Sequence, residues 1–440
     1  MDYQTFLQSK MKRFVGEGFT CDPATLPASM FEWQRKIVNW ACRKGRAALW
    51  ADTGLGKTIM QLAWADQVRR QSGQSVLILT PLAVSAQTVK EAERFGISAS
   101  IAHGSDDVQG PGIYVTNYQK LHRFDASVFS GVVLDESSIL KSFQGKTKTL
   151  LTETFARTPY RLACTATPAP NDHLELGNHS DFLGIMPQKE MLARWFLNDI
   201  MGNMTWRLKA HAHTDFWRWV ASWALVMRSP ADLGYDSTGY DLPELKIHHI
   251  TIPTTGIHLN GALFADASLS ATTLHEVLRQ TAPIRAKKAA EIVESLDGES
   301  CLLWTHTNYE ADEIRKVIHT DEVRGSDSDE HKELMLLGFA DGSVTRLLTK
   351  PSLAGFGMNW QACHHMIFVG MDYSYEKFYQ AVRRCWRYGQ TRSVHAYLLC
   401  TDMEWRLFDS LAKKQAGHTK MQNEMIAMMK EEYAELTNQG

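Results

Sequence analysis

The run Ala51-Asp52-Thr53-Gly54-Leu55-Gly56-Lys57-Thr58 gathers two glycines, an ammonium and two hydroxyls into eight residues. It follows the apolar run AALW (47–50) and precedes the helix-compatible IMQLAWADQVRR, so it reads as a strand-to-helix turn. Such a turn wraps a polyphosphate with backbone N–H groups, here those of Thr53, Gly54, Leu55 and Gly56. Gly54 and Gly56 supply backbone freedom and close approach, and the helix that follows points its positive end at the anion. Lys57 is placed to neutralise the β- and γ-phosphates of ATP, and Thr58 to hold Mg²⁺.

A second feature is the carboxylate pair Asp135-Glu136 at the end of the apolar run GVVLD (131–135). Adjacent carboxylates after a buried strand are costly unless a cation meets them. The pair suits a division of labour in which Asp135 holds the Mg²⁺ shell and Glu136 orients and deprotonates the attacking water.

The elements that must position these groups are legible as short β-branched runs alternating with amphipathic stretches. The first series is AALW (47–50), VLILT (76–80), IYVT (113–116), GVVLD (131–135) and YRLACT (160–165). A second is CLLWT (301–305), TRLLT (345–349), HMIFVG (365–370) and VHAYLL (394–399). Buried strands separated by helices predict parallel sheets that bind ligands at the carboxyl ends of their strands. The expected fold is α/β, with an N-terminal extension (1–28), a first lobe (29–171), a connection (172–245), a second lobe (246–402) and a C-terminal helical brace (403–440) packed across the lobes. The connection is rich in tryptophan and is expected to be helical without strands. Phe216, Trp219, Val220, Trp223 and Met227 recur at helical spacing, as a core stripe or, less simply, as an aromatic wedge that stacks on bases.

Composition narrows the class. Among 440 residues, 47 are basic and 49 acidic, so any nucleic-acid contact must come from locally placed Lys and Arg rather than from a polycationic surface. Seven scattered cysteines without a Cys-x-x-Cys pair argue against a zinc ribbon or a disulfide framework and for a reducing, cytoplasmic setting. No signal peptide or membrane-spanning run is read, which predicts a protein without membrane association. His211-x-His213, His248-His249 and His364-His365 have no Cys or carboxylate at ligand spacing in the sequence, so zinc is not indicated. No nucleophile elbow is present.

Taken together, FEWQRKIVNW (31–40), ADTGLGKT (51–58), LTPLAVSAQTVKEAERF (79–95), VTNYQKL (115–121), LDESS (134–138), ACTATP (163–168), LLWTHTN (302–308), LLTKPSLAGFGMNWQACHHMIFV (347–369) and QAVRRCWRYGQ (380–390) resemble the superfamily-two helicases and translocases. The likeness is to the Swi/Snf-type double-stranded DNA translocases in particular. VMRSPADLG (226–234) and DLPELK (241–246) are similar to that family's segment joining the lobes. Ala51 at the first loop position is a variant expected in helicase-type loops. The resemblance implies two tandem RecA-like lobes and nucleic-acid-stimulated ATP hydrolysis, with double-stranded DNA as the expected partner. It leaves room for a protein partner of unknown identity.

Residue by residue, the resemblance implies that Gln34 reads the adenine edge, which a bidentate amide suits, and it adds Gly357 to the ATP-binding set. Arg384 and Arg387, three residues apart and expected on one helix face, would reach the γ-phosphate. Thr165 and Thr167 fall in the segment that couples the ATP site to the track, and Gln380 joins the coupling set. Thr80, Pro81, Thr116, Tyr118, Thr305, His306 and Thr349 occupy loop positions that in the family contact the phosphates of one strand. Two departures stand out. Arg383 lies where the family often has an acidic residue, and the acidic motif ends in Ser137-Ser138, one of which must replace the family's coupling histidine. A strand-separating helicase, or an ATP-dependent switch that binds DNA or protein without stepping, would use the same ATP site.

Overall fold

The computed structural model describes the chain apart from residues 1–12, 82–83, 142–144, 170–172, 200–204, 254–270, 355–357, 372–374, 402–403, 405–416, 418 and 431–440. It divides into two compact units, Met1–Thr238 with Ala416–Gly440, and Gly239–Gln415.

The first unit is built on a seven-stranded sheet. Its strands are β1 (Arg46–Ala51), β2 (Ser75–Thr80), β3 (Ser100–Ile101), β4 (Ile113–Asn117), β5 (Phe129–Asp135), β6 (Tyr160–Cys164) and, from the tryptophan-rich segment, β9 (Ala224–Met227). The order is β3-β4-β2-β5-β6-β1-β9, with every pairing parallel. Central strands covered on both faces must be apolar at successive positions, which is why VLILT and GVVLD show no alternation. All the strands point one way, so the turns after β1, β2, β5 and β6 share one edge. Helix α1 (Glu32–Lys44) leads into β1, and α2 (Lys57–Ser72) leaves it.

The second unit carries β10 (Leu245–Ile252), β11 (Cys301–Trp304), β12 (Asp321–Glu322), β13 (Arg346–Thr349), β14 (His365–Phe368) and β15 (Val394–Thr401), also all parallel, in the order β10-β15-β14-β11-β13-β12. The expectation of two parallel-sheet α/β lobes therefore holds.

Other expectations are corrected. The segment 172–245 is not a strandless helical connection. It contains the antiparallel pair β7 (Phe196–Asp199) and β8 (Thr205–Leu208) as well as β9. Helix α4 (His213–Ala221), which follows α3 (Leu176–Leu183), ends before Trp223, so the helical spacing holds only for Phe216, Trp219 and Val220, while Met227 ends a strand. The four-residue run ALVM is too short for periodicity to separate helix from strand. Phe216, Trp219, Val220, Trp223 and Met227 are all buried in the core, leaving no exposed wedge. Of the C-terminal brace, residues 419–430 are helical, and Met421, Met425, Ile426 and Met429 pack into the first unit's core. Residues 405–416 and 431–440 lie outside the described residues.

Candidate nucleotide-hydrolysis site

Ala51 ends β1, and the loop to α2 turns through Gly54 and Gly56 at φ 93° and 72°, a left-handed region that a side chain strains. Space demands glycine as well: a Cβ on Gly56 would sit 2.5 Å from Gln34 Nε2. Gln34 is buried and grips the loop itself. Its Nε2 donates to the Leu55 carbonyl (3.1 Å), and its Oε1 accepts the Phe31 N–H (3.0 Å). One N–H and one lone pair remain for an adenine edge. The loop is anchored at its start by the Asp52 N–H, which donates to the Met227 carbonyl of β9 at 2.9 Å.

Lys57 opens α2 and folds its ammonium back onto the loop, donating to Ala51 O (2.8 Å) and Asp52 O (3.3 Å). Desolvation is the largest influence on it and holds its pKa below the ordinary lysine value, while the nearby Glu136, Asp52 and Asp135 carboxylates pull the other way. A cation resting on carbonyls among carboxylates, beside a glycine cradle, fits a triphosphate. Thr58, half-buried in the first turn, and Asp135 are the residues that would hold Mg²⁺.

Asp135 closes β5, held from two sides. Gln61 Nε2 donates to its Oδ1 (2.8 Å), and the Tyr118 hydroxyl donates to its carbonyl (2.6 Å). Burial, reinforced by Asp135 and Glu136, pushes the Tyr118 phenol well above its ordinary pKa, so it stays a donor. Glu136 adopts φ 56°, an uncommon conformation for a residue with a side chain and one that concentrates at functional sites. Its Oε2 accepts the Thr165 hydroxyl at 3.2 Å, and Thr165 Oγ1 in turn accepts the Thr167 N–H at 3.1 Å. Lys57, Asp135, Glu136, Thr165 and Thr167 are thus brought to one edge of one sheet.

Ser137 meets a histidine brought from elsewhere in the chain. Ser137, fully buried, lies 3.0 Å from His179 Nε2 on α3, and His179 Nδ1 faces the Glu175 carbonyl at 3.4 Å. A carbonyl only accepts, so Nδ1 carries the proton and Ser137 donates to Nε2. Burial pushes the His179 pKa down to about 4, which keeps the ring neutral.

In the second unit, the helix carrying QAV ends at Val382: α6 (Tyr375–Val382) follows the long helix α5 (Ala271–Ser295). Arg384 and Arg387 therefore do not share a helix face. The chain leaves α6 through turns, with Arg384 N–H bonded to Ala381 O and Gln390 N–H to Arg387 O. The two guanidinium groups nonetheless converge, both donating to the Met358 carbonyl at 3.2 and 3.1 Å. Gln390 fixes these turns, donating to the carbonyls of Gln361, Cys363 and Cys385 and accepting the N–H groups of Thr391 and Arg392. Arg383 takes aromatic neighbours, 5.7 Å from the Tyr379 ring centroid and 5.2 Å from that of Trp386. Gln380 is buried, and Gly357 lies outside the described residues.

The expected phosphate-contacting hydroxyls are corrected in one respect. Thr80, Thr116 and Thr349 are buried at strand ends, and Thr305 is buried directly after β11, rather than displayed on loops. Thr80 Oγ1 pairs with Ser85 Oγ at 2.7 Å, and Thr349 Oγ1 donates to the Val323 carbonyl at 3.2 Å. A strand covered on both faces keeps its last side chain inside; among the described residues Thr80 and Thr349 find internal partners there, while the buried hydroxyls of Thr116 and Thr305 make no hydrogen bond. Pro81 is half-buried, and His306 is exposed, its N–H donating to Glu310 Oε2.

Sequence reasoning missed Gln61, His179, Gln390 and the β9 anchor. Gln61 had a signal, lying one helical turn beyond Lys57. His179 had none, being 42 residues from Ser137.

Among the described residues, no helix is long and apolar enough to cross a membrane. A family model described as the type III restriction enzyme res subunit matches residues 28–170, and one described as the helicase conserved C-terminal domain matches residues 285–389. No curated protein matches the sequence. One solved structure, the Sulfolobus solfataricus SWI2/SNF2 ATPase core in complex with dsDNA, is similar at 19% identity and a TM-score of 0.44, over 92% of this chain and 95% of that one. With one of these models matched in each unit, and a phosphate-type loop beside a carboxylate pair at one sheet edge of the first, the chain is a helicase-type, ATP-hydrolysing enzyme.

Proposed function

We propose that this enzyme is a Swi/Snf-type motor, a nucleic-acid-stimulated ATPase that moves along duplex DNA without fully separating the strands. The observation that carries the reading is the Thr165–Glu136 contact. It ties the water-activating carboxylate to the segment that, in the resemblance, leads to the track, so a shift in that segment reaches the hydrolytic base.

In this reading the Gly54–Gly56 loop and Lys57 bind the triphosphate, and Gln34 offers its remaining amide valences to adenine. Thr58 and Asp135 would hold Mg²⁺, which would supply charge neutralisation at the phosphates. Glu136 takes the proton from the attacking water. Arg384 and Arg387 are the guanidinium groups that, in the resemblance, stabilise the charge developing on the transferred phosphoryl group. Phosphate rather than base contacts give little sequence preference.

The test is the ATPase rate measured with no nucleic acid, duplex DNA, single-stranded DNA or RNA, paired with displacement of a triplex-forming strand. Duplex-specific stimulation with triplex displacement is expected. Stimulation by single strands with duplex opening would make the enzyme an unwinding helicase, and turnover indifferent to every nucleic acid would make it a switch.

A further inference from the structure

The pair His364-His365 lacks a ligand partner in the sequence, but the fold supplies one 65 residues upstream. His364 Nε2 and His365 Nε2 lie 2.9 and 2.8 Å from the same oxygen, Glu299 Oε2. We propose that Glu299, His364 and His365 form a binding site for a divalent transition-metal ion of the zinc class.

Three ligand atoms within 4.8 Å of one another, two imidazole nitrogens and a carboxylate oxygen, make a donor set that suits zinc and its neighbours rather than the hard, oxygen-seeking Mg²⁺ or Ca²⁺. The set is held by rigid parts. His365 opens β14 between β11 and β15, the His364 carbonyl accepts the His395 N–H at 2.8 Å, and Glu299 stands two residues before β11. Arg392 Nη2 donates to the other carboxylate oxygen, Glu299 Oε1, at 2.7 Å, which turns Oε2 towards the imidazoles as a ligand carboxylate requires. The imidazoles are buried and the carboxylate is more open, so the ion enters past Glu299. Tetrahedral bonds of ~2.0–2.1 Å place ligand atoms about 3.3 Å apart, so each imidazole nitrogen needs to part from Glu299 Oε2 by only about half an ångström.

The site lies at the amino-terminal end of β14, away from the strand ends that carry Thr305 and Thr349. The ion therefore clamps the entries of β11 and β14 and leaves ATP chemistry alone, with water in the fourth position.

The test uses the full chain, stripped with chelator and titrated with Co²⁺ and Zn²⁺. One tight ion per chain is expected, with the intense visible absorption of tetrahedral Co²⁺ and a rise in Tm on Zn²⁺ addition. Glu299→Gln and His364→Ala should lose more than ~100-fold in affinity and lose the absorption. Arg392→Gln, an exposed substitution that spares the fold, should lose ~10–100-fold. His211→Ala, at an exposed histidine elsewhere, should bind normally. Absence of the tetrahedral spectrum in the parent overturns the site, and so does an unchanged spectrum in folded Glu299→Gln. If the ligand variants fail to fold, unchanged affinity in Arg392→Gln overturns it.

Discussion

Thr165 donates its hydroxyl to Glu136 at 3.2 Å while accepting the Thr167 N–H at 3.1 Å, so the single donor and one lone pair of one side chain are spent on the hydrolytic edge. Glu136 sits at φ 56°, which costs about 1–2 kcal/mol, and this bond aims the carboxylate from that conformation. Thr165→Val keeps the shape and removes the bond. A hydrogen bond to a charged group contributes ~1.5–3 kcal/mol, so turnover should fall ~10–100-fold with ATP affinity kept. Steady-state ATPase kinetics and nucleotide titration check this; weakened affinity with unchanged turnover would place Thr165 in substrate binding instead.

Lys57→Ala and Glu136→Gln should separate binding from chemistry. The first removes the ammonium that stands among Asp52, Asp135 and Glu136, and should abolish nucleotide binding or hydrolysis. The second keeps the fold and the Thr165 contact, and should trap the ATP-bound state. Fluorescent-nucleotide binding with single-turnover hydrolysis reads both, and normal hydrolysis by Glu136→Gln would remove it as the base.

The two arginines should differ in stability though not in direction. Arg387→Ala should cut turnover ~10³-fold with ATP affinity largely intact. Arg384 is buried, with Nε on the Gln380 carbonyl and Nη1 on that of Met358, so Arg384→Ala should also destabilise the second unit by ~1–3 kcal/mol. Turnover together with urea unfolding measures both effects; an Arg387→Ala enzyme that turns over normally would refute the finger role.

Stability should depend on pH through His179. Its pKa is about 4 in the fold against 6.5 in the unfolded chain. Between these values the unfolded chain takes up a proton that the fold refuses, so stability is complete above 6.5 and falls as pH drops towards 4. The loss from pH 7 to pH 5 should be ~2 kcal/mol. His179→Gln should flatten this limb in denaturant titrations; an identical slope in the variant would mean that other groups drive it.

The parallel strands and the phosphate loop were legible because their determinants are local. VLILT and GVVLD announce burial on both faces, and Gly54-Leu55-Gly56-Lys57 announces its own turn. Long-range partners were illegible for the converse reason. No sequence pattern tells Ser137 that His179 will face it, or His364 that Glu299 will. The ALVM strand was misread as helix continuation because the aromatics before it keep helical spacing up to Ala221. Arg384 and Arg387 were expected together and are together, but through turns and a shared carbonyl rather than a helix face.

The β9 anchor also bears on synthesis. Met227 holds the phosphate loop at Asp52, and the Val226 N–H in turn donates to Met429 Sδ near the far end of the chain. At ~5–20 residues per second, a ribosome that has just made the loop needs on the order of ten seconds or more to deliver its neighbouring strand, and longer still to deliver the methionine behind it. The first unit therefore matures only after the second has been translated, and nascent chains released before then would carry a fuel-binding loop without its floor.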